Sequence, residues 1–458
     1  MGGLFGSKEE KERQARMQRL LARDRDLPPE DPVPTGQLPP IPGIEMPHRT
    51  HRAAEDEDEK RTRRPAGRTK SLSAIQKKHR RRRNLLLGAL ALAAAIAVAA
   101  FTGAVGSSIA LLDDVVDSAT LAFSPSGGGY PATTGITQPY AIQTLAGGFV
   151  ELGAEDVAVY SAKGGKIRAF QPGYARPSIA VGNTRFCVYN RSGTELRVES
   201  RTKNLYTKNF TDGILLCAMS RNGSTAVVTQ SSRYAAQVTV YDPLFVEKYL
   251  WQPTQDDGTP VSLAFATDSH RFAAGCLSAK NGQLNTTVFL MDTATDTVTA
   301  SYTATAGAMV LQLHWLSPTR LLAVFDSYAA ILNPADGAEA ARFDYGGATL
   351  RGVSVAGKNT AFLLTGSAGS VLNLRDDSLR QQAQVLVGQA ETVSATRTAV
   401  YVLGARTVRS YRFDGTCAWE TACDAQPLTV LDAAQTLLFT GEQAAVLTAP
   451  AAAGSAAS

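Results

Sequence analysis

From residue 160 onward, one kind of hairpin recurs about every 40 residues of this 458-residue chain, and that repeat restricts the fold more than any other feature. Each copy is a strand, a polar or glycine-containing turn, and a second strand. The copies read YSAKGGKIRAF, ESRTKNLYTK, YDPLFVEKYLW, MDTATDTVTASY, LNPADGAEAARF, LRDDSLRQQAQV and YRFDGTCAWET. Their turn centres are Lys163, Lys203, Leu244, Ala294, Ala335, Asp377 and Gly415, spaced by 40, 41, 50, 41, 42 and 38 residues. Between them lie β-branched and aromatic runs such as RFCVYN, TAVVTQ, RLLAVF and AVYVLG. No helix-length amphipathic stretch interrupts these runs, so the region is all-β. Four strands per period of about 40 is the signature of a β-propeller blade. The one long blade has room for extended loops at Thr254–Gly258 and Ala279–Leu284.

Strand counting then tests closure. Four strands fit in Pro139–Gln171 and six further blades run to Asp424, but only three strands follow before the Ala/Gly/Ser tail. A free strand lies ahead of the first blade, in Tyr130, Pro131, Ala132, Thr133 and Thr134. Pairing it with the last three closes a ring of eight blades and removes the exposed edges that would template aggregation. Seven blades is the alternative if one hairpin is misassigned. The propeller is expected over residues 129–450, with a disordered tail over 451–458.

Ahead of the propeller, LLLGALALAAAIAVAAFTGAVGSSIALL (85–112) holds no charged residue. A bilayer core about 30 Å thick needs about 20 apolar helical residues, and Leu85–Val105 alone supplies 21. The run follows Lys77, Lys78, Arg80, Arg81, Arg82 and Arg83 and stops at Asp113 and Asp114. A signal peptide would be shorter and nearer the start. The expectation is one membrane-spanning helix over 85–112, with the N-terminus in the cytoplasm and the propeller outside, because basic residues stay on the cytoplasmic side. The basic flank serves as a topology anchor that also attracts anionic lipid. Ala89, Ala93 and Ala97 form a small-residue row, a weak signal for dimerisation through the span.

The overall charge of +5 conceals a division at this segment. Residues 1–84 carry 21 Lys+Arg against 13 Asp+Glu, a net of +8; the rest carries 25 against 28, a net of −3. A nearly neutral outer region argues against a nucleic-acid partner. The basic arm holds a charged helical stretch, Lys8–Asp26, then eight prolines in Pro28–Pro47 and the acidic run Glu55–Glu59. Such composition buries no core, so the arm is expected to be mostly disordered. Residues 113–128, ending in SPSGGG, read as a linker.

Chemistry-bearing motifs are scarce. The chain lacks HExxH, GxSxG, a phosphate-binding GxxxxGK[ST] loop and an EF-hand. The five cysteines form no CxxC pair, which disfavours zinc and leaves buried small apolar side chains as the better reading. Cys417 and Cys423, six apart on one strand, lie about 20 Å from each other, too far to bridge. Only His270 and His314 fall beyond the span. His314, in VLQLHWL, reads as a satisfied strand residue and His270 as a solvated turn residue. The carboxylate pairs Asp256–Asp257 and Asp376–Asp377 sit in turns, where Asp is favoured for its own sake. Trp251, Trp315 and Trp419 are expected between blades.

From Tyr130 to Asp292 the chain also resembles a known bacterial family. The residues that carry the likeness are Tyr130–Pro131, DVAVYSAKGGKI, GYARP (Gly173–Pro177), RFCVYNRSG, VESRTKNLY and SRNGSTAVVTQSSRY (Ser220–Tyr234). In order and spacing they look like the family catalogued as domain of unknown function 5711, and MDTATDTVTASY is similar to the hairpin of YVTN-type propellers. The resemblance implies a cytoplasmic arm, one span and an outer propeller in a bacterial cell membrane. It carries no activity, catalytic residue or cofactor. The resulting expectation is a non-enzymatic envelope module that binds a protein, peptide or cell-wall component, without cofactor or metal. The alternatives are an envelope glycan hydrolase with carboxylates at the channel mouth, and a single-span signalling receptor.

Overall fold

A computed structural model describes residues 114–121, 127–295 and 297–450. The arm (1–84), the basic flank, the apolar run 85–112 and the tail 451–458 lie outside the described residues. Among the described residues, no helix is long and apolar enough to cross a membrane.

Thirty-two strands, β1 to β32, form eight four-stranded antiparallel sheets among the described residues. Blades 1 to 7 are consecutive: β2–β5 (141–170), β6–β9 (177–209), β10–β13 (214–251), β14–β17 (259–303), β18–β21 (310–344), β22–β25 (349–388) and β26–β29 (392–422). Blade 8 takes β30–β32 (427–446) from the end of the chain and β1 (Ala132–Thr133) from ahead of blade 1. Ala132 pairs with Ala444 and Thr133 with Gln443. The Thr134 N–H adds a hydrogen bond to the Glu442 carbonyl at 2.7 Å. The ring therefore has eight blades, and the alternative of seven falls away.

Second strands are buried on both faces, which is why they read as unbroken apolar runs. In β19 (Arg320–Phe325), Leu321, Ala323 and Phe325 pack towards blade 4, and Leu322 and Val324 towards blade 6. Strand alternation puts successive side chains on opposite faces, so one strand feeds two interfaces. Eight apolar clusters result, one for each interface. At the closing interface, Phe149 stacks on Tyr160 and meets Phe439 edge-on, each pair at 4.9 Å between centroids. Burying one such side chain is worth about 1.5–3 kcal/mol.

Three local expectations need correction. Ala279–Leu284 is not an extended loop: β15 (Arg271–Lys280) and β16 (Gln283–Asp292) carry straight through it. They meet at Asn281–Gly282, where φ is +52° and +75°, a two-residue turn whose twist matches the strands. The cysteines are not uniformly buried. Cys187, Cys217 and Cys276 are buried, whereas Cys417 is exposed and Cys423 half-buried; all five are free thiols. The stretch read as a linker (113–128) contains a helix, α1 (residues 114–121).

Candidate functional site

In each blade, the first-to-second and third-to-fourth strand turns share one rim of the ring. The second-to-third turns and the links to the next blade share the other. Helix α1 is seated on the first of these. Its Asp117 is 2% exposed and accepts hydrogen bonds from Arg201 Nε at 2.7 Å, Ser200 Oγ at 2.9 Å and the Thr202 N–H at 3.1 Å. Arg201 Nη2 donates to Ser118 Oγ at 2.7 Å, and its Nη1 reaches the Ala146 carbonyl in blade 1. One turn earlier in the helix, Asp114 accepts from Arg185 Nε at 2.9 Å; Arg185 Nη1 also holds the Pro243 carbonyl of blade 3 at 2.8 Å. The i,i+3 spacing of Asp114 and Asp117 places both on one side of the helix. This docked rim thus ties blades 1, 2 and 3 to the segment that precedes them.

Among the described residues no helix is seated on the opposite rim, here called the open rim, and its central mouth is irregular in a recurring way. In seven of the eight neighbouring pairs of blades the first strands lie against one another around the channel, the pair β18 and β22 being set apart. In five first strands the register against the second strand slips at the second or third residue, leaving that residue unopposed. The residues are Leu215 in β10 (Ile214–Met219), Val261 in β14 (Thr259–Phe265), Leu311 in β18 (Val310–Ser317), Arg351 in β22 (Thr349–Ala356) and Leu428 in β30 (Pro427–Asp432). Blades 1, 2 and 7 keep an even register there. A β-bulge re-aims one side chain and bends its strand, and first strands begin at the open rim. The bulges thus fall at the mouth end of five first strands, where Leu215 and Leu428 are half-buried, Leu215 against the blade 3–4 core. Val261 and Leu311 are 42% and 39% exposed. Met309, just ahead of β18, adds to the apolar surface. Arg351 is exposed and makes no ion pair or hydrogen bond among the described residues.

Deeper along β18, His314 Nε2 lies 2.9 Å from Gln312 Oε1. Loss of hydration pushes its pKa down to about 4, so it is neutral near pH 7, and among the described residues no carboxylate or hydroxyl completes a triad with it. Each carboxylate singled out in the sequence is engaged elsewhere. Asp256 pairs with Lys280 at 3.7 Å and Asp257 accepts from Thr254 N and Oγ1. Asp376 caps the turn at Ser378 and Arg380, and Asp377 pairs with Arg320 at 2.7 Å. Among the described residues, no group of three or more His, Cys, Asp or Glu could hold a metal ion. The tryptophans pack between blades. Trp251 lies against Phe289, Trp315 Nε1 donates to the Ala264 carbonyl, and Trp419 packs with Tyr401 of its own blade at the interface with blade 8. Of the closing-strand residues Tyr130–Thr134, Ala132 and Thr133 form the strand at the blade 8 edge; Lys77–Arg83 lie outside the described residues. Sequence reasoning did not single out Leu215, Val261, Leu311, Arg351, Leu428, Asp117 or Arg201.

Comparison with known proteins is informative about family and fold. A family profile described as "Family of unknown function (DUF5711)" matches residues 132–445. No curated protein sequence matches the chain. Among solved structures, the chain is similar to Sqt1 of Chaetomium thermophilum bound to the N-terminus of the ribosomal protein L10, with a TM-score of 0.51 at 11% identity; the match covers 70% of this chain and 99% of that one. The C-terminal WD40 domain of Sif2 matches with a TM-score of 0.50 at 11% identity, over 70% of this chain and 100% of that one. BamB from Moraxella catarrhalis matches with a TM-score of 0.47 at 11% identity, over 67% and 96%. The likenesses to Sqt1 and to the Sif2 domain agree with the propeller architecture.

Proposed function

The chain belongs to the DUF5711 family, which supplies a fold and no activity, and we propose that it is a membrane-anchored, non-enzymatic binding module whose open channel mouth takes a protein or peptide segment. The observation that carries this reading is the set of bulges at Leu215, Val261, Leu311, Arg351 and Leu428, at the mouth end of five first strands. The exposed Val261 and Leu311 together with the cation of Arg351 suit an apolar segment bearing a carboxylate. The similar Sqt1 propeller is itself bound to a protein's N-terminus.

The anchoring half of the proposal rests on chain order. The apolar run 85–112 ends two residues before α1 begins, and α1 is bonded to the docked rim. In this reading the docked rim faces the bilayer in a bacterial cell envelope, the open rim faces away from it, and the basic arm lies in the cytoplasm with Lys77–Arg83 against anionic lipid. Val115, Val116 and Val246, at 62%, 57% and 51% exposure, supply apolar surface on the docked side. The bonding of α1 to the docked rim also favours a second reading, a single-span receptor. In that case, deleting Met1–Lys70 while keeping the span abolishes the cellular output. The binding reading is tested by pull-down with the full chain from envelope extract, against Leu311→Asp and Arg351→Glu. Loss of one specific protein with both variants supports it, and retention by both refutes it.

A further inference from the structure

Propeller interfaces are apolar because each blade buries a whole sheet face. Third-strand residues facing the preceding blade are Phe289 and Met291 in blade 4, and Ala330 and Leu332 in blade 5. In blade 6 the corresponding positions of β24 (Gly369–Asp376) are Asn373 and Arg375. Charged residues also stand at these positions in blades 2 and 7, but there they are paired: Arg197 bonds Glu199 beside it, and Arg409 pairs with Glu420. Between blades 5 and 6, towards the open rim, a cavity of about 320 Å³ is lined by both residues together with Tyr345, Ala348, Leu364 and Val371. That volume lies within the usual range for small-ligand sites, about 300–1,000 Å³.

The polar groups of this cavity are unusually short of partners. Asn373 is 4% exposed, and its amide makes no hydrogen bond among the described residues. Arg375 is half-buried and stacks on the Phe343 ring, 3.4 Å from its centroid. One Nη donates to the Leu379 carbonyl at 2.7 Å, while its buried Nε has no acceptor. No carboxylate pairs with Arg375: the nearby Asp344 is 69% exposed and lies 3.6 Å from Arg342. The Tyr345 hydroxyl is buried without a partner, and burial raises its pKa, so it stays a neutral O–H donor. Buried polar groups are ordinarily hydrogen-bonded, and charges away from water are ordinarily paired.

We infer that the cavity between blades 5 and 6 is a binding site for a carboxylate, in which Arg375 neutralises the charge, the Asn373 amide hydrogen-bonds the same group, and the apolar wall of Ala348, Leu364 and Val371 takes a short aliphatic substituent. Asp344 also lines the cavity, but its carboxylate is 69% exposed and lies 3.6 Å from Arg342. Guanidinium–carboxylate geometry is planar and two-pronged, and stacking on Phe343 fixes the plane in advance. The carboxylate is either that of a free small acid or the C-terminus of a peptide. The site is separate from the channel mouth and stands or falls independently of it.

The test is calorimetric titration of the detergent-purified full chain with N-acetyl-alanyl-alanine, its C-terminal amide, and propionate. Saturable binding of the dipeptide acid or of propionate is expected; the tighter of the two identifies peptide terminus or free acid. The amide binds at least about tenfold more weakly, and Arg375→Gln and Asn373→Ala each lower acid affinity by about tenfold or more, in line with lost hydrogen bonds to a charged group. Arg375→Lys, which keeps the charge and the stem, retains binding that Arg375→Gln loses, separating recognition from misfolding. Equal binding of acid and amide, binding indifferent to Arg375→Gln, or no saturable binding of any of the three probes overturns the proposal.

Discussion

Asp117 of α1 and Arg201 of blade 2 meet at 2.7 Å although 84 residues separate them, and both side chains are almost fully buried, at 1% and 6% exposure. Removing one partner of such a pair leaves an uncompensated charge and costs about 3–5 kcal/mol. Asp117→Ala should therefore lower unfolding stability by that order. It should also speed amide exchange at Thr202, whose N–H donates to Asp117. Unchanged exchange at Thr202 would show that the helix does not depend on this contact.

The closing strand gives a second expectation. Deleting residues 127–134 removes the β1 pairing to Gln443 and Ala444 and leaves blade 8 with an open edge of the kind that pairs with other chains. Size-exclusion chromatography should show the shortened protein self-associating. A monomer of unaltered stability would contradict the ring closure.

Glu151 predicts a pH dependence. It is fully buried, and neither carboxylate oxygen has a hydrogen-bonding partner. Burial pushes its pKa from the ordinary 4.5 up to about 7, against smaller opposing effects of Thr134 and Lys166. With the folded pKa raised, the proton is held more tightly in the folded state. This contribution is full below about pH 4.5, declines as pH rises towards 7, and is lost above it. The span of the effect is about 3 kcal/mol. Glu151→Gln should flatten stability between pH 4.5 and 7 in denaturant titrations; a slope equal to that of the parent protein would assign the dependence to other groups.

Thiol accessibility offers a simple check of blade packing. Cys417, exposed on β29 (Cys417–Ala422), should react with a maleimide in the native protein. Cys187, Cys217 and Cys276 should react only on unfolding, since they are buried and burial raises the thiol pKa of Cys217 and Cys276. Rapid native labelling of any of these three would indicate an open interface.

The propeller was legible because its turns are written locally: KGG, DPLF, NPADG and FDGT each force a reversal, and their spacing counts blades without tertiary information. The mouth was not legible. Leu311 in VLQLHWL looks like an ordinary alternating position, and only pairing with β19 shows that Val310 opposes Phe325 while Gln312 opposes Val324. Register is a property of two strands, so no single-strand pattern contains it. The docking of α1 was hidden for a similar reason. DDVVDSATL is polar and short, and its Asp117 is buried only because Arg201 arrives from far along the chain. Asn373 and Arg375, in LNLRDD, read as the polar approach to a hairpin turn, and their inward placement depends on how blade 6 faces blade 5.

The central claim is that the open mouth, and not the blade exterior, holds the partner. Site-specific photo-crosslinking in living cells tests it most directly, with a benzophenone side chain placed at Leu311, at Arg351, or at Leu386 of β25 (Gln381–Gly388), an outer-strand residue that is 64% exposed. The account predicts adducts to one and the same protein from Leu311 and Arg351 and none from Leu386. Adducts from Leu386 with none from the two mouth positions would contradict it.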